Sequence, residues 1–261
     1  MDLDLKGKRA LVCGSTRGIG RAIAVELALL GADITLLARN EASLRSTVSA
    51  LPCQHDQRHE YLVADFGFPD EVKVTVREYV ARNRVHILIN NTGGPPGGQA
   101  IDAAIQDFIN AFSSHLICNQ ILVQAVVPGM KEAKFGRVIN VISTSVKAPI
   151  RGLGVSNTIR GAVANWAKTL SLELAGFGIT VNNVLPGATL TDRLKELNEA
   201  KAGKTGKSPD QLIDEMVKEI PAGRIGEPHE IAAAAAFLAS PAAAYINGIN
   251  MPVDGGRTGS L

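Results

Sequence analysis

The chain has 261 residues, 46% of them hydrophobic and 20% charged, enough apolar side chains for a sizeable core and too many for a disordered segment. Lys and Arg (27) nearly balance Asp and Glu (25) and are spread along the chain, which argues against a nucleic-acid partner. The three cysteines, Cys13, Cys53 and Cys118, are too few and too widely spaced for a disulfide framework or a zinc site, and they suit a reducing compartment. The start, Met1-Asp2-Leu3-Asp4-Leu5-Lys6, lacks the basic-then-apolar run of a secretion signal. The nearest approach to a membrane segment, residues 231–239, falls short of the ~20 residues that span a bilayer. A soluble, cytoplasmic protein without membrane or metal partners is expected.

Strand-length apolar runs alternate with helical patterns from the first residues onward. Residues 9–13 form the first run and end in a glycine-rich turn. Residues 21–30 have helical periodicity, and Gly31 follows at the usual stop. Further strand candidates lie at 33–38, 61–64, 85–89, 137–142, 179–184 and 246–253. Continuous rather than alternating apolar runs are the mark of parallel strands buried on both faces. With helices between them, right-handed crossovers give a doubly wound parallel sheet in three α/β/α layers, the Rossmann architecture. No repeat or interdomain linker interrupts the pattern, so residues 1–261 are expected to form one domain. The least regular stretch, 188–223, is polar and contains glycine, and is expected to be a mobile lid over a substrate.

The first turn reads Gly14-Ser15-Thr16-Arg17-Gly18-Ile19-Gly20. Its three glycines suit a tight turn, close backbone approach to a pyrophosphate, and close helix–strand packing. The helix after the turn offers unpaired N–H groups and its positive dipole end to phosphate. The second strand ends Leu37-Ala38-Arg39-Asn40, where a fold selective for NAD places an acid for the ribose hydroxyls. Arg39 is suited instead to a 2′-phosphate, with Arg17 as a second positive charge, so NADP(H) is the expected cofactor.

These motifs, in this order, resemble those of the short-chain dehydrogenase/reductases, and most closely 3-oxoacyl-acyl-carrier-protein reductase-like members. The resemblance covers nearly the whole chain. It implies that Asp65 caps the adenine, and that Asn91 and Gly93, within Asn90-Asn91-Thr92-Gly93, belong to the cofactor wall. Pro186, Gly187 and Thr191 then hold the nicotinamide end. Gly223-Arg224-Ile225-Gly226-Glu227-Pro228 and Val253-Asp254-Gly255-Gly256 match the C-terminal signature. Family members work with Asn, Ser, Tyr and Lys. Here Ser143 holds the Ser position, but Ser156 stands for Tyr, Arg160 for Lys and His115 for Asn.

The replacements bear directly on proton transfer. A tyrosine titrates near ~10 and a cation lowers it further, whereas a serine hydroxyl needs an adjacent base. Arg160 can hold ribose hydroxyls but keeps its proton. His115 is either the new acid–base group or a helix histidine filling the Asn space. Tyr61 is placed in a strand, Tyr79 in a surface helix and Tyr245 near the C-terminal signature, away from the site. His55, His59, His86 and His229 read as solvated or capping side chains. The loop Gly93-Gly94-Pro95-Pro96-Gly97-Gly98 is expected to shape the nicotinamide end of the pocket.

Two functions are compatible with these residues: an NADP(H)-dependent oxidoreductase acting on a carbonyl or alcohol, such as an acyl thioester or another small molecule, and a catalytically silent NADP(H)-binding protein. The apolar character of residues 116–127 and 162–174, and the family resemblance, imply a homotetramer.

Overall fold

The computed structural model describes residues 1–260. The elements follow the chain as β1 (Arg9–Cys13), α1 (Gly18–Leu29), β2 (Asp33–Ala38), α2 (Glu41–Ser49), β3 (Glu60–Val63), α3 (Pro69–Val80) and β4 (Ile87–Asn90). Then come α4 (Ile105–Phe112), α5 (Cys118–Ala133), β5 (Gly136–Val141), α6 (Gly154–Leu174), β6 (Ile179–Pro186), α7 (Asp192–Thr205), α8 (Pro209–Lys218), α9 (Pro228–Ala239) and β7 (Asn250–Val253). The seven strands form one parallel sheet in the order β3-β2-β1-β4-β5-β6-β7. The doubly wound sheet read from the apolar runs is therefore the observed one.

Successive strand residues point to opposite faces, and both faces are covered. Ala10, Val12, Ile34, Leu36, Ile87 and Ile89 pack with Ile23 and Leu27 of α1 and Ala232 and Ala235 of α9. Leu11, Cys13, Leu37, Leu88, Val138 and Val181 face the other way, onto Val72 and Val76 of α3, Leu122 and Val126 of α5, and Ala167 of α6. The order of strands reverses between β1 and β4, so a crevice opens beyond their carboxyl ends.

A line of side-chain amides crosses the carboxyl half of the sheet. Asn90 donates to Asn140, Asn140 to Asn183 and Asn183 to Asn250, each at 2.8 Å. The four residues are direct register partners on β4, β5, β6 and β7.

Several expectations change. The stretch 188–223 is not irregular: it carries α7 and α8, and α8 is opened by Ser208 and Gln211 in a reciprocal capping box. The last strand is shorter than 246–253, because Gly248 turns the chain at φ 73° before it joins the sheet. Tyr79 lies in α3, a helix with one exposed face, but its own side chain turns inward, with its hydroxyl 2.5 Å from Thr35 Oγ1 and 2.8 Å from Glu60. His86 and His59 are also tied in: their Nδ1 atoms accept from the backbone N–H of Arg9 and Ile34. No helix among the described residues is long and apolar enough to cross a membrane.

Replacing Asn140 with alanine leaves the Asn90 amide and the Asn183 oxygen without partners in a dry sheet interior. At ~1–3 kcal/mol for each unsatisfied buried group, Asn140→Ala is expected to cost roughly 2–4 kcal/mol in denaturant unfolding. A loss below about 0.5 kcal/mol, the level of an ordinary surface change, would show that the amide line is incidental.

Candidate active site

The crevice is floored by the glycine turn between β1 and α1. Each glycine there has its own steric reason. A Cβ on Gly20 would stand 2.2 Å from the Gly14 carbonyl oxygen, and one on Gly14 would stand 2.6 Å from the Asn91 oxygen. Gly18, at φ 54°, lies against the Thr191 methyl. Asn91 spends its amide on the turn, donating to the carbonyls of Cys13 (3.3 Å) and Gly14 (3.1 Å). It is a brace beneath the loop.

The first N–H groups of α1 carry no side-chain cap, and Ser15 is fully buried with an unpartnered hydroxyl oxygen. Open donors at a helix N-terminus and an orphaned hydroxyl are what a pyrophosphate-bearing ligand would satisfy. Ile19, half-buried, packs against the sheet core. Gly93, exposed with open space at its Cβ position, leaves the far wall clear. The residues present thus fit a dinucleotide.

Arg39, exposed at the end of β2, stands 4.0 Å from Asp65, whose other oxygen accepts from the Gly67 N–H. Arg17 does not join Arg39. Its guanidinium reaches across to α7, 3.5 Å from Asp192 and 3.7 Å from Glu196. The glycine turn and α7 are therefore linked by charge as well as by the Gly18–Thr191 contact. Thr191 caps α7, its hydroxyl accepting from the Leu194 N–H. Gly187 follows β6 at Pro186 and donates its N–H to Val253.

The chain leaves β5 at Val141 and brings Ser143 to the cleft, its hydroxyl oxygen accepting from the Ser145 N–H at 3.1 Å. Ser156 lies half-buried in the first turn of α6. Arg160 follows one turn later and is buried; its Nη1 donates to the Val141 carbonyl at 2.8 Å, and its Nε has no partner. Burial, then the charge of Arg193, pulls Arg160 down to about 10, so it stays cationic at neutral pH.

His115 occupies a π-helical turn, Ser113–Ile117, between α4 and α5. It is 3% exposed, with Nδ1 2.6 Å from the Thr92 hydroxyl. Burial, and then the nearby Arg160 charge, push its pKa down to about 3, while a hydrogen bond with the Gly93 backbone works weakly the other way. A histidine titrating near ~6.5 was one expectation; the imidazole is instead neutral across the physiological range.

Three residues were missed in the sequence. Thr92 stands where the family motif has Ala, and this departure accompanies the His at 115 that it bonds. Arg193 of α7 crosses to the Pro95 carbonyl at 2.6 Å. Asn198, on the same helix, is buried with its amide nitrogen unpaired. The glycine–proline loop is tied to α6 by the Gly98 N–H to Gly152 and the Gly154 N–H to Gly98. Between these parts lies a cavity of about 1140 Å³, walled by Leu153, Leu194, Leu197 and Met216 and reaching Ser143 and Gly187. It is large enough for a substrate beside a nicotinamide.

The sequence model of the family described as Enoyl-(Acyl carrier protein) reductase matches residues 14–258. The chain is 33% identical over 257 residues to the 3-oxoacyl-acyl-carrier-protein reductase FabG of Vibrio cholerae, covering 97% of this chain and 98% of that one. Its structure is similar to that of L-sorbose reductase from Gluconobacter frateurii complexed with NADPH and L-sorbose, at TM-score 0.93, 28% identity and full coverage of both chains. It is also similar to actinorhodin polyketide ketoreductase with NADPH, at TM-score 0.90 and 30% identity, covering 97% of this chain and 98% of that one. With the glycine turn, the parallel sheet and the C-terminal signature all in place, the chain belongs to the short-chain dehydrogenase/reductase family.

Proposed function

We propose that the chain is a cytoplasmic NADP(H)-dependent oxidoreductase acting on a carbonyl or alcohol. The observation that carries this reading is the intact cradle beside a cavity of about 1140 Å³ that reaches Ser143. Similarity to NADPH-complexed reductases supports the cofactor, and similarity to the FabG reductase supports an acyl thioester or another small carbonyl compound as substrate.

When bound, NADPH supplies the hydride. Gly14, Ser15, Gly18, Ile19 and Gly20 would hold its pyrophosphate, Arg39 its 2′-phosphate and Asp65 its adenine. Gly93, Pro186, Gly187 and Thr191 form the nicotinamide end. Ser143 donates its hydroxyl to the substrate oxygen, and the fixed charge of Arg160 stabilises negative charge that develops there. Ser156 and Arg160 are poor proton donors near neutrality, and His115 is neutral and engaged with Thr92. The proton then reaches the product from water in the cleft, and turnover on ordinary family substrates is slow. The missing Tyr and Lys favour a second reading, a silent NADP(H) binder. A screen for NADPH oxidation with 3-oxoacyl thioesters and small carbonyls separates the two: turnover supports the enzyme, and binding with none supports the silent protein.

The expected assembly is a homotetramer. The exposed apolar stripe begins earlier than residues 116–127, with Ile105, Ile109, Phe112 and Ile117 along α4 and the π turn, while Leu172 is exposed on α6. A mass of four chains by light scattering is expected, and a monomer would contradict it.

NADPH should bind more tightly than NADH, and Arg39→Ala should remove most of the difference. A charge-assisted phosphate contact is worth roughly 1.5–3 kcal/mol, or about ten- to a hundredfold. Equal dissociation constants for the two would contradict the assignment.

Restoring Tyr at 156 and Lys at 160 together should raise the rate on a 3-oxoacyl thioester by ~10²–10⁴-fold, the usual contribution of general acid catalysis. Either change alone should do little, because an acid without its tuning cation is poorly poised. An unchanged rate in the double variant would show that the inherited route is not used.

A further inference from the structure

Two guanidinium groups converge on one point at the Gly93-Gly94-Pro95 loop from different elements. Arg160 comes from α6 and Arg193 from α7. A Cβ on Gly94 would lie 3.7 Å from both Nε and Nη2 of Arg193, and 4.0 Å from Nη2 of Arg160. Any side chain at position 94 would fill the space that the two groups share.

Each arginine is pinned by a backbone carbonyl at one nitrogen only. Arg160 Nη1 holds Val141 O, and Arg193 Nη2 holds Pro95 O. The remaining nitrogens are poorly served. Arg160 Nε is buried without a partner. Among the described residues, no carboxylate stands within ion-pair distance of Arg160. Arg193 Nη1 lies 3.7 Å from Glu196, and Arg17 draws on that same residue at 3.7 Å.

Two like charges brought to one space, one of them buried, repel and lose hydration. Their mutual effect appears in the depression of Arg160 by burial and by Arg193. An anion between them relieves both costs, and planar guanidinium forks suit the two oxygens of a carboxylate.

We infer that Arg160 and Arg193 form a clamp over Gly94 for a carboxylate of the substrate, so that the preferred substrates are oxo acids or hydroxy acids rather than neutral carbonyl compounds. This rests on the oxidoreductase reading and narrows its substrate class. The clamp spans the fixed wall of the site and the first turn of α7, so an acid bound there also draws α7 onto the Gly93-Gly94-Pro95 loop.

The test is calorimetric titration of the full chain, with and without saturating NADP⁺, using short 2-oxo and 3-oxo carboxylic acids and their methyl esters. In the NADP⁺ complex, at least one acid is expected to bind about ten- to a hundredfold more tightly than its ester, as charge-assisted hydrogen bonds dictate. Arg193→Gln, at a partly exposed side chain, should abolish that difference and leave NADP⁺ affinity and the thermal melt unchanged. Arg160→Lys, which keeps the charge and loses the fork, should weaken acid binding while a thermal melt confirms the fold. Equal binding of acid and ester throughout the series, or no binding of either, overturns the clamp. So does loss of NADP⁺ affinity in Arg193→Gln without loss of acid binding, which assigns the pair to the cofactor's phosphates. Failure of NADP⁺ to bind the native chain counts against the oxidoreductase reading, and the cofactor-free titrations then still decide the clamp.

Discussion

Three amide–amide hydrogen bonds set the heights of the loops that build the site. Asn90, Asn140, Asn183 and Asn250 lock β4, β5, β6 and β7 in one register across the carboxyl half of the sheet. Asn90 and Asn140 lie at or next to the ends of their strands, and Asn183 and Asn250 lie three residues before theirs end. Asn91 to Gly94 come after the first, Val141 to Ser143 after the second, Pro186 and Gly187 after the third, and Val253 after the last. A slip of one strand would move a whole wall relative to the others, because a single-residue shift turns every side chain to the opposite face. The walls of the cleft therefore rest on a polar line inside a largely apolar sheet.

Much of the fold was legible because strands buried on both faces must be apolar throughout. The runs at 9–13 and 33–38 coincide with β1 and β2, and the other strands differ only at their ends, where chain geometry decides. The glycine turn was legible because its steric demands are local. The amide line was not, since an asparagine in a strand declares no partner until strand order is known. The partners of Tyr79 were hidden for the same reason: Thr35 and Glu60 lie on β2 and β3, far away in sequence. The helices of 188–223 were hidden by composition. Helix α7 is polar on nearly all sides and is held by its Thr191 cap and by ion pairs to Arg17, which apolar periodicity cannot report.

At the site, the sequence told which family groups were absent but not what the replacements did. His115 offered a plausible acid on its reference pKa alone. Its burial and the neighbouring cation reverse that expectation, since both penalise the imidazolium. The Thr92 hydroxyl then makes the neutral ring a structural partner. Arg160 retains the positive charge of the lysine it replaces and loses the capacity to tune an acid. The result is a glycine turn of ordinary family form joined to a cleft whose charge is fixed rather than titratable.

That contrast is most directly tested at His115 itself. Nitrogen NMR of the imidazole, assigned with His115→Asn, reads its protonation without any substrate. A ring that stays neutral throughout about pH 5 to 8 is expected, because its pKa lies near 3. A titration with a midpoint near ~6.5 would contradict it and return a general acid to the site.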